Sequence, residues 1–396
     1  MQYSTKARLL LAGAALSTFA GPALALDGND LVAKINNAIS IQGGAGFSAE
    51  KAVVSGSNVT LTNAKFLIEA GKQSLPLGTV KFEGVEEDNG GYTVDKVTFD
   101  NINATEDKTT FTASDISISG LTVPANATGD GLDAILLYDE AHVGKIAATV
   151  DGKPAFSIDE TNVTTEIADD HSSVGFDLEI NGIKSDLSIV DDAQAKDTLQ
   201  QLGITSLDGK VAMSGSWTLK DGTLDIDEYG LDFAKVGKIN LAFSMSGYTL
   251  DFIKSANETA KAMENNPNKE EAQQAAGLAM LGLMQRLTFN SAEIRFEDAG
   301  ITKKALDYAG KSQGTTGEAM AQMLKGMTPM MLAQYNVPEL QNMVSAAVNT
   351  YLDKPGSFTV TAEPADAVPF PMIMGAAMGA PNTLPKVLGV KVTAND

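Results

Sequence analysis

The chain has no cysteine among its 396 residues, so no disulfide can stabilise the fold. A chain of this length can bury enough apolar surface to fold without disulfides. Histidine is almost as scarce, with His142 and His171 the only two in the sequence. Because the usual catalytic arrangements draw on cysteine or histidine, the sequence favours a protein that is not an enzyme.

Long apolar runs are also absent after residue 25, so the sequence predicts no transmembrane anchor in that part. Before it, Lys6 and Arg8 precede an apolar run at 9–20, and the small residues Ala23 and Ala25 follow. This order is typical of a secretory signal peptide cleaved after Ala25. The segment has no cysteine that a lipid could modify. We therefore expect export to the periplasm, with secretion beyond the outer membrane as the alternative.

Basic residues are few: 29 lysines and arginines face 50 aspartates and glutamates, for a net charge of −21. Removal of a signal peptide carrying Lys6 and Arg8 would make the protein still more acidic. A negative field of this size repels nucleic acid and anionic headgroups. The charge therefore excludes nucleic acid as an expected partner.

Residues 53–252 alternate Val, Ile, Thr and Phe with polar residues and are punctuated by glycine, which predicts antiparallel strands. Asn181-Gly182 and Asp221-Gly222 each predict a two-residue hairpin loop. Around the second loop, this register pairs Trp217 with Ile226. Both loops place apolar residues opposite apolar residues, as a half-buried sheet requires.

The turn at Asp151-Gly152 needs a different loop. A three-residue loop, with Lys153 as its third member, pairs Ile146 with Ile158, whereas a two-residue loop would put them on opposite faces. We therefore predict a bulged turn at this site.

A weak repeat also runs through the predicted strands. Five apolar positions recur after nineteen residues. They are Tyr92, Val94, Val97, Phe99 and Ile102, followed by Phe111, Ala113, Ile116, Ile118 and Leu121. We interpret the repeating unit as a hairpin in a meander, and chance similarity between alternating segments is the alternative.

Helical periodicity dominates the C-terminal part of the chain. The predicted helices cover 255–286 with a break at 265–268, then 302–311, 316–327, 338–352 and 372–378. Pro329 and Pro355 are expected to act as breakers. Strands are predicted at 357–362 and 387–393.

These patterns define a fold class and a division of the chain. We predict an α+β fold that is predominantly β: a repetitive antiparallel meander forming a long curved sheet, with a helical, Met-rich C-terminal segment packed on it. The divisions are a signal peptide at 1–25, a meander region at 26–254, a helix-rich segment at 255–356, and strands with a short helix at 357–396.

Methionine is concentrated in the helix-rich part, and Met320, Met323 and Met327 share one predicted helix face. Such a flexible apolar stripe can line a groove for lipid or peptide, and we take these three residues as the candidate ligand-binding site. Plain core packing is the alternative. A copper site would need histidine or cysteine nearby, and neither occurs after His171.

Three local motifs imitate active or metal sites without their context. Gly310-Lys311-Ser312-Gln313-Gly314 matches a hydrolase nucleophile elbow but follows a predicted helix instead of a strand. Asp169-Asp170-His171 are consecutive and cannot all face one ion. Residues 177–188 begin like a calcium loop, but Ser188 stands where a glutamate is needed. We assign no catalytic residue, metal or cofactor.

Residues 216–226, 237–241 and 292–301, together with 362–364 and 368–370, resemble uncharacterised exported proteins of alphaproteobacteria. More distantly, the meander resembles YdgA-type and AsmA-like periplasmic β-proteins. The AsmA-like resemblance implies a role in lipid handling in the envelope. Those proteins usually keep a membrane anchor, which this chain is expected to lack.

Together these observations suggest a non-enzymatic, soluble periplasmic protein that binds lipid or another apolar ligand in envelope maintenance. The alternative is a structural or protein-interaction protein of the cell envelope that holds no small molecule. A hydrolase that uses Ser312 is the third hypothesis. The sequence therefore names lipid or an envelope protein as the expected partner.

Overall fold

The computed structural model describes residues 26–43, 46–68, 73–127, 131–265 and 268–396. The predicted signal peptide lies outside the described residues, and cleavage after Ala25 stays a prediction.

Strands are the most abundant secondary structure in the described chain. In chain order they are β1 (Gly46–Ser48), β2 (Lys51–Ser55), β3 (Asn58–Ile68), β4 (Gln73–Asp88), β5 (Gly91–Phe99), β6 (Ile102–Glu106), β7 (Thr109–Ala113), β8 (Ile116–Val123), β9 (Glu140–Val143), β10 (Ile146–Val150), β11 (Lys153–Ile158), β12 (Glu160–Ile167), β13 (Ser173–Asp186), β14 (Ser206–Thr218), β15 (Thr223–Phe233), β16 (Gly237–Ser246), β17 (Thr288–Asp298), β18 (Ser357–Ala362), β19 (Val368–Pro369) and β20 (Val390–Ala394).

The helices precede the first strand or interrupt the later ones. They are α1 (Gly28–Gly43), α2 (Ala193–Leu202), α3 (Leu250–Asn265), α4 (Lys269–Met284), α5 (Ile301–Ser312), α6 (Gly317–Ala333), α7 (Pro338–Asp353), α8 (Phe370–Gly379) and α9 (Leu384–Val387). Short 3₁₀ turns lie at Leu132–Ala134, Leu187–Ile189 and Pro381–Thr383.

The described strands form one antiparallel sheet. Strands that pair in the sheet are mostly near each other in chain order. Across the sheet the order is β3, β4, β5, β8, β9, β12, β13, β14, β15, β16, β17, β18, β20, with β1 and β2 along the outer side of β3. β5 and β6, β7 and β8, β9 and β10, and β11 and β12 are each separated by one or two residues. Each of these pairs is therefore one long strand with a break.

Four in-strand glycines with a left-handed backbone lie in the first half of the sheet. Gly78, Gly84, Gly120 and Gly182 have φ between +64° and +69°. At each of them an aspartate from the neighbouring strand fills the space that a Cβ would need. The aspartates are Asp100, Asp95, Asp139 and Asp159, in the same order. Glycine kinks of this kind curve a sheet, and at Gly182 the register also shifts by one residue, as in a bulge.

The curvature is large enough to bring distant helices together. α3 follows β16, and it contacts α1, which packs on β1, β2, β5 and β8. The observed open curved sheet, with helices in its C-terminal part, confirms the predicted fold class.

A cluster of buried apolar side chains lies under α1. Leu31 and Ile35 project from this helix onto Val59, Val80 and Val97, and all five side chains are buried. Apolar side chains on one face of α1 therefore cover the first strands of the sheet, as an amphipathic helix requires.

Polar contacts fix α1 in this position. The Tyr92 hydroxyl donates to Asp30 Oδ2 at 2.7 Å, and Lys34 forms an ion pair with the same carboxylate. Hydrogen bonds from Lys34 and Tyr92 hold the pKa of Asp30 below its ordinary value, while burial and the bond to Asp30 raise the pKa of Tyr92. Asn36 donates to the carbonyl of Phe47 at 2.6 Å and accepts from its N–H at 2.5 Å.

The predicted turns have three different outcomes. Asn181-Gly182 is not a turn: both residues lie inside β13 as a bulge opposite Lys210, so that prediction is wrong. The turn at Asp221-Gly222 exists, but its register pairs Trp217 with Leu224 instead of Ile226, which gives a four-residue loop.

At Asp151-Gly152 the predicted pairing and a bulge are confirmed, but the predicted three-residue loop is wrong, because Lys153 pairs with Val150. Ile146 pairs with Ile158, as predicted. The extra residue is Ala155 in β11, which stands opposite the Ala148–Thr149 step, so the loop itself has two residues.

The nineteen-residue repeat is a strand, not a hairpin. Tyr92 and Val94 lie in β5, and Leu121 of the second copy pairs with Val94 across the same hairpin. One repeat is therefore one long strand and its turn, and two repeats make the hairpin.

The helix predictions at 255–286, 302–311 and 338–352 are confirmed by α3 to α5 and α7. The expected break at Pro329 is wrong, because α6 continues through this residue to Ala333. α1, α2 and α9 were not predicted. The segments 26–254, 255–356 and 357–396 all contribute strands to the one sheet, and β17 of the middle segment lies between β16 and β18.

Candidate functional site

One apolar residue from each of thirteen strands aligns in register across the whole sheet. We call this line the apolar row. Its members are Val59, Phe82, Val97, Ile118, Ala141, Val163, Leu178, Met213, Tyr229, Leu241, Ile294, Val360 and Val392. Side chains alternate between faces along each strand, so these residues share one face of the sheet.

Flanking positions two residues away along the strands make this face wider. One flanking line contains Ile180, Val211, Leu231, Ile239, Phe296 and Phe358, and the other contains Phe176, Ile226, Phe243, Ala292 and Ala362. We call the surface formed by the apolar row and these two lines the apolar face.

The opposite face of the same strands is polar. Between the apolar row and the flanking line that begins at Ile180, each strand has one residue on the opposite face. These residues are Glu179, Ala212, Gly230, Asn240, Arg295, Thr359 and Thr393. A sheet that alternates in this way is built to bury one face and to leave the other in water.

Within the described part of the chain, the apolar face is best covered at its two ends. At the first end α1 buries Val59, Phe82 and Val97. At the other end α7 packs on β18 and β20, and the Tyr351 ring meets the Phe358 ring edge-on at 5.7 Å.

Between these ends the apolar face is only partly covered. Every member of the apolar row from Ala141 to Val360 is half-buried or exposed. Tyr229, Ile239 and Ile294 are 36%, 39% and 52% exposed, and all three are neighbours of Leu241 in the sheet. A contiguous exposed patch of this kind marks a binding surface more often than scattered apolar residues do.

The single tryptophan lies on the same face. Trp217 pairs with Val174 and Leu224, and its indole N–H donates to the Tyr248 carbonyl at 2.8 Å. Since its N–H is satisfied, the ring can present its apolar surface to the face.

The three methionines of the predicted site have different environments. Met320 is 4% exposed and belongs to the buried part of α6, whereas Met323 and Met327 are 39% and 41% exposed. α6 contacts α5 and α7. Binding of a ligand by these methionines stays a prediction, and core packing describes the surroundings of Met320.

The structure gives the context of the nucleophile-like and acidic motifs. Ser312 ends α5, and its hydroxyl donates to the Ala309 carbonyl at 2.8 Å, so it does not stand on a strand-to-helix turn. Asp170 accepts from the Ser172 hydroxyl at 2.6 Å within an exposed turn. Among the described residues no group of three or more His, Asp and Glu side chains is arranged to hold a metal ion.

His142 is the centre of a polar cluster on the opposite face. Its Nδ1 donates to the Asn162 side-chain oxygen at 2.6 Å, and its Nε2 lies 3.4 Å from Asp115. Glu160 lies 3.8 Å away. The hydrogen bond with Asn162 and the two carboxylates raise the pKa of His142 above its ordinary value of 6.5.

Sequence reasoning missed the apolar face because it compared strands in pairs. Each strand shows the alternation of apolar and polar residues that indicates such a face. Aligning these residues across the sheet also needs the correct strand registers at Trp217 and at Asn181-Gly182, and both were predicted wrongly.

A protein-family model described as "Uncharacterized protein" matches residues 230–395, which is less than half of the chain. The matched part contains β16 to β20 and α3 to α9, and thus the most exposed part of the apolar face. No curated protein matches the chain. Within the described residues, no helix has the length and apolar character needed to cross a membrane.

Proposed function

We propose that this protein is an exported, non-enzymatic binding protein of the bacterial envelope that holds lipid acyl chains on its apolar face. The observation that carries the proposal is the uncovered middle of that face, centred on Leu241 and bordered by Tyr229, Ile239 and Ile294. Apolar area that water would otherwise contact is the main source of free energy for binding such chains.

The net negative charge of the protein fits a lipid that is bound through its acyl chains and not through its headgroup. The net charge of −21 disfavours anionic headgroups at long range, so binding would depend on burial of hydrocarbon. The resemblance of the meander to YdgA-type and AsmA-like proteins, and the predicted signal peptide, support the same location and ligand class.

The test is the lipid content of the protein purified from its own cells, measured by native mass spectrometry and by extraction. We expect bound lipid in the unmodified protein and at least a several-fold loss in Ile294→Gln. The control is Glu293→Gln, which changes the next residue on the opposite face of β17. Lipid-free protein, or equal loss in both variants, would contradict the proposal.

A protein partner is the second candidate, because apolar side chains are also exposed on three helices. Leu278 of α4, Met330 of α6 and Met378 of α8 are 74%, 69% and 90% exposed. We expect a partner bound there to survive Ile294→Gln and to be lost with Met330→Ser and Met378→Ser together. Affinity purification from an envelope extract, with quantitative mass spectrometry, separates the two candidates.

A further inference from the structure

An apolar cavity of about 160 Å³ lies between α1 and the first strands of the sheet. Ile35 and Ile39 of α1 form one wall, and Phe66 and Phe99 lie among the sheet residues that face them. Every side chain that lines the cavity is apolar.

The cavity is continuous with the apolar face. Ile118 lines the cavity and is also a member of the apolar row, where its partner in register is Ala141. From Ala141 to Val360, the members of the apolar row are half-buried or exposed. The space under α1 is therefore the covered end of the proposed binding surface.

We propose that this cavity receives the end of a single alkyl chain whose polar group remains outside, on the uncovered face. The inference rests on the proposed function and adds the orientation of the ligand. A polar headgroup inside would find no hydrogen-bond partner among the lining side chains, and that burial is strongly unfavourable. An apolar space of similar size in another protein stays dry and accepts a small hydrocarbon.

A simple packing defect is the competing explanation, but it fits the surroundings less well. Protein cores are close-packed, and empty space costs the contacts that its lining would otherwise make. Here Phe99, Ile118 and Leu136 are only half-buried although they line the cavity beside fully buried residues. The cavity is thus partly open, and Ile118 at its margin belongs to the apolar row.

The test places a fluorescent reporter in the cavity. The variant is Phe99→Trp with Trp217→Phe, so that the only tryptophan lies at the cavity, and the unmodified chain reports on the open face. The probes are palmitic acid brominated at the terminal carbon and palmitic acid brominated next to the carboxylate, because bromine quenches tryptophan at short range.

We expect the terminal bromine to quench the cavity reporter at least two-fold more than the bromine beside the carboxylate. Equal quenching by both probes, or no quenching of the cavity reporter while Trp217 of the unmodified chain is quenched, would overturn the cavity proposal alone. If neither protein is quenched, the proposed function fails as well.

A second reporter guards against local misfolding. Phe66→Trp with Trp217→Phe places the tryptophan on another lining position, in β3. The same order of quenching is expected for it. Filling the cavity with Ile118→Phe should reduce quenching by the terminal bromine in both reporters, whereas Ile294→Phe on the open face should leave it unchanged.

Discussion

Gly182 lies in β13 with φ of +66°, and Asp159 occupies the space on its side-chain side. Three other in-strand glycines, Gly78, Gly84 and Gly120, have the same combination of positive φ and a facing aspartate. At the residue scale, the sheet thus contains four positions where any side chain would meet both backbone strain and a carboxylate.

Replacing Gly182 by alanine should therefore destabilise the fold. We expect a loss of about 1–3 kcal/mol in the free energy of unfolding, from the left-handed backbone and the displaced aspartate. The control is Gly175→Ala in the same strand, where φ is not positive and the nearest heavy atom to an added Cβ is 3.7 Å away. Urea unfolding followed by circular dichroism measures both, and equal losses would argue against the bulge account.

The His142 cluster predicts a pH dependence of stability. Its folded pKa is raised above 6.5, so its contribution is complete below that pH and is lost as pH rises through the raised pKa. Since the cluster is partly exposed, the effect should be within about 1 kcal/mol. His142→Gln should remove this slope in thermal unfolding measured from pH 6 to pH 8, and His171→Gln, which leaves the cluster intact, should keep it. A slope that persists in His142→Gln would exclude the cluster as its source.

The glycine positions also show what the local sequence cannot predict, namely whether an Asn-Gly pair forms a turn or a bulge. Asn181-Gly182 carries the letters of a hairpin turn, because a turn and a bulge both need positive φ. Which one forms depends on the partner strand: here Lys210 of β14 stands opposite both residues. At Asp151-Gly152 the flanking apolar residues predicted the pairing of Ile146 with Ile158 correctly, but not the length of the loop, because the extra residue lies within β11.

At the element scale, α1 is the helix that most directly shapes the covered end of the apolar face. Leu31 of this helix is fully buried. Asp30 and Asn36 of the same helix form hydrogen bonds with Tyr92 and Phe47. The sequence did not predict this helix. Packing of its apolar face on the strands, more than intrinsic helix propensity, stabilises a helix of this length.

Leu31→Ala should cost about 2–5 kcal/mol of stability, because it removes a fully buried side chain from the core under α1. Leu278→Ala is the matched control on α4, where the side chain is 74% exposed, and its effect should stay within about 0.5 kcal/mol. Thermal unfolding compares the two variants. Similar melting temperatures for both would show that α1 is not packed as described.

The helix-rich segment shows a second limit of the sequence. Periodicity located α3, α4, α5 and α7, but Pro329 does not end α6. A proline removes one hydrogen bond within a helix, and neighbouring contacts can compensate for that loss. The sequence pattern located the three methionines on one helix face. It could not predict that Met320 is buried while Met323 and Met327 are exposed, because that difference depends on how α6 packs against α5 and α7.

At the scale of the whole molecule, a meander of antiparallel strands produces a continuous apolar face with a polar reverse side. Alternation in the sequence predicted the class of sheet. It could not predict that Tyr229, Ile239 and Ile294 remain uncovered, because alternation shows which residues share a face but not what packs on it.

The most direct test of a lipid-binding face uses the single native tryptophan, Trp217, in the unmodified protein. Phospholipid with brominated acyl chains should quench its fluorescence, relative to the same lipid without bromine, if acyl chains lie on this face. Unchanged emission in the presence of brominated lipid that is shown to be bound would contradict the account, since the lipid would then occupy another surface.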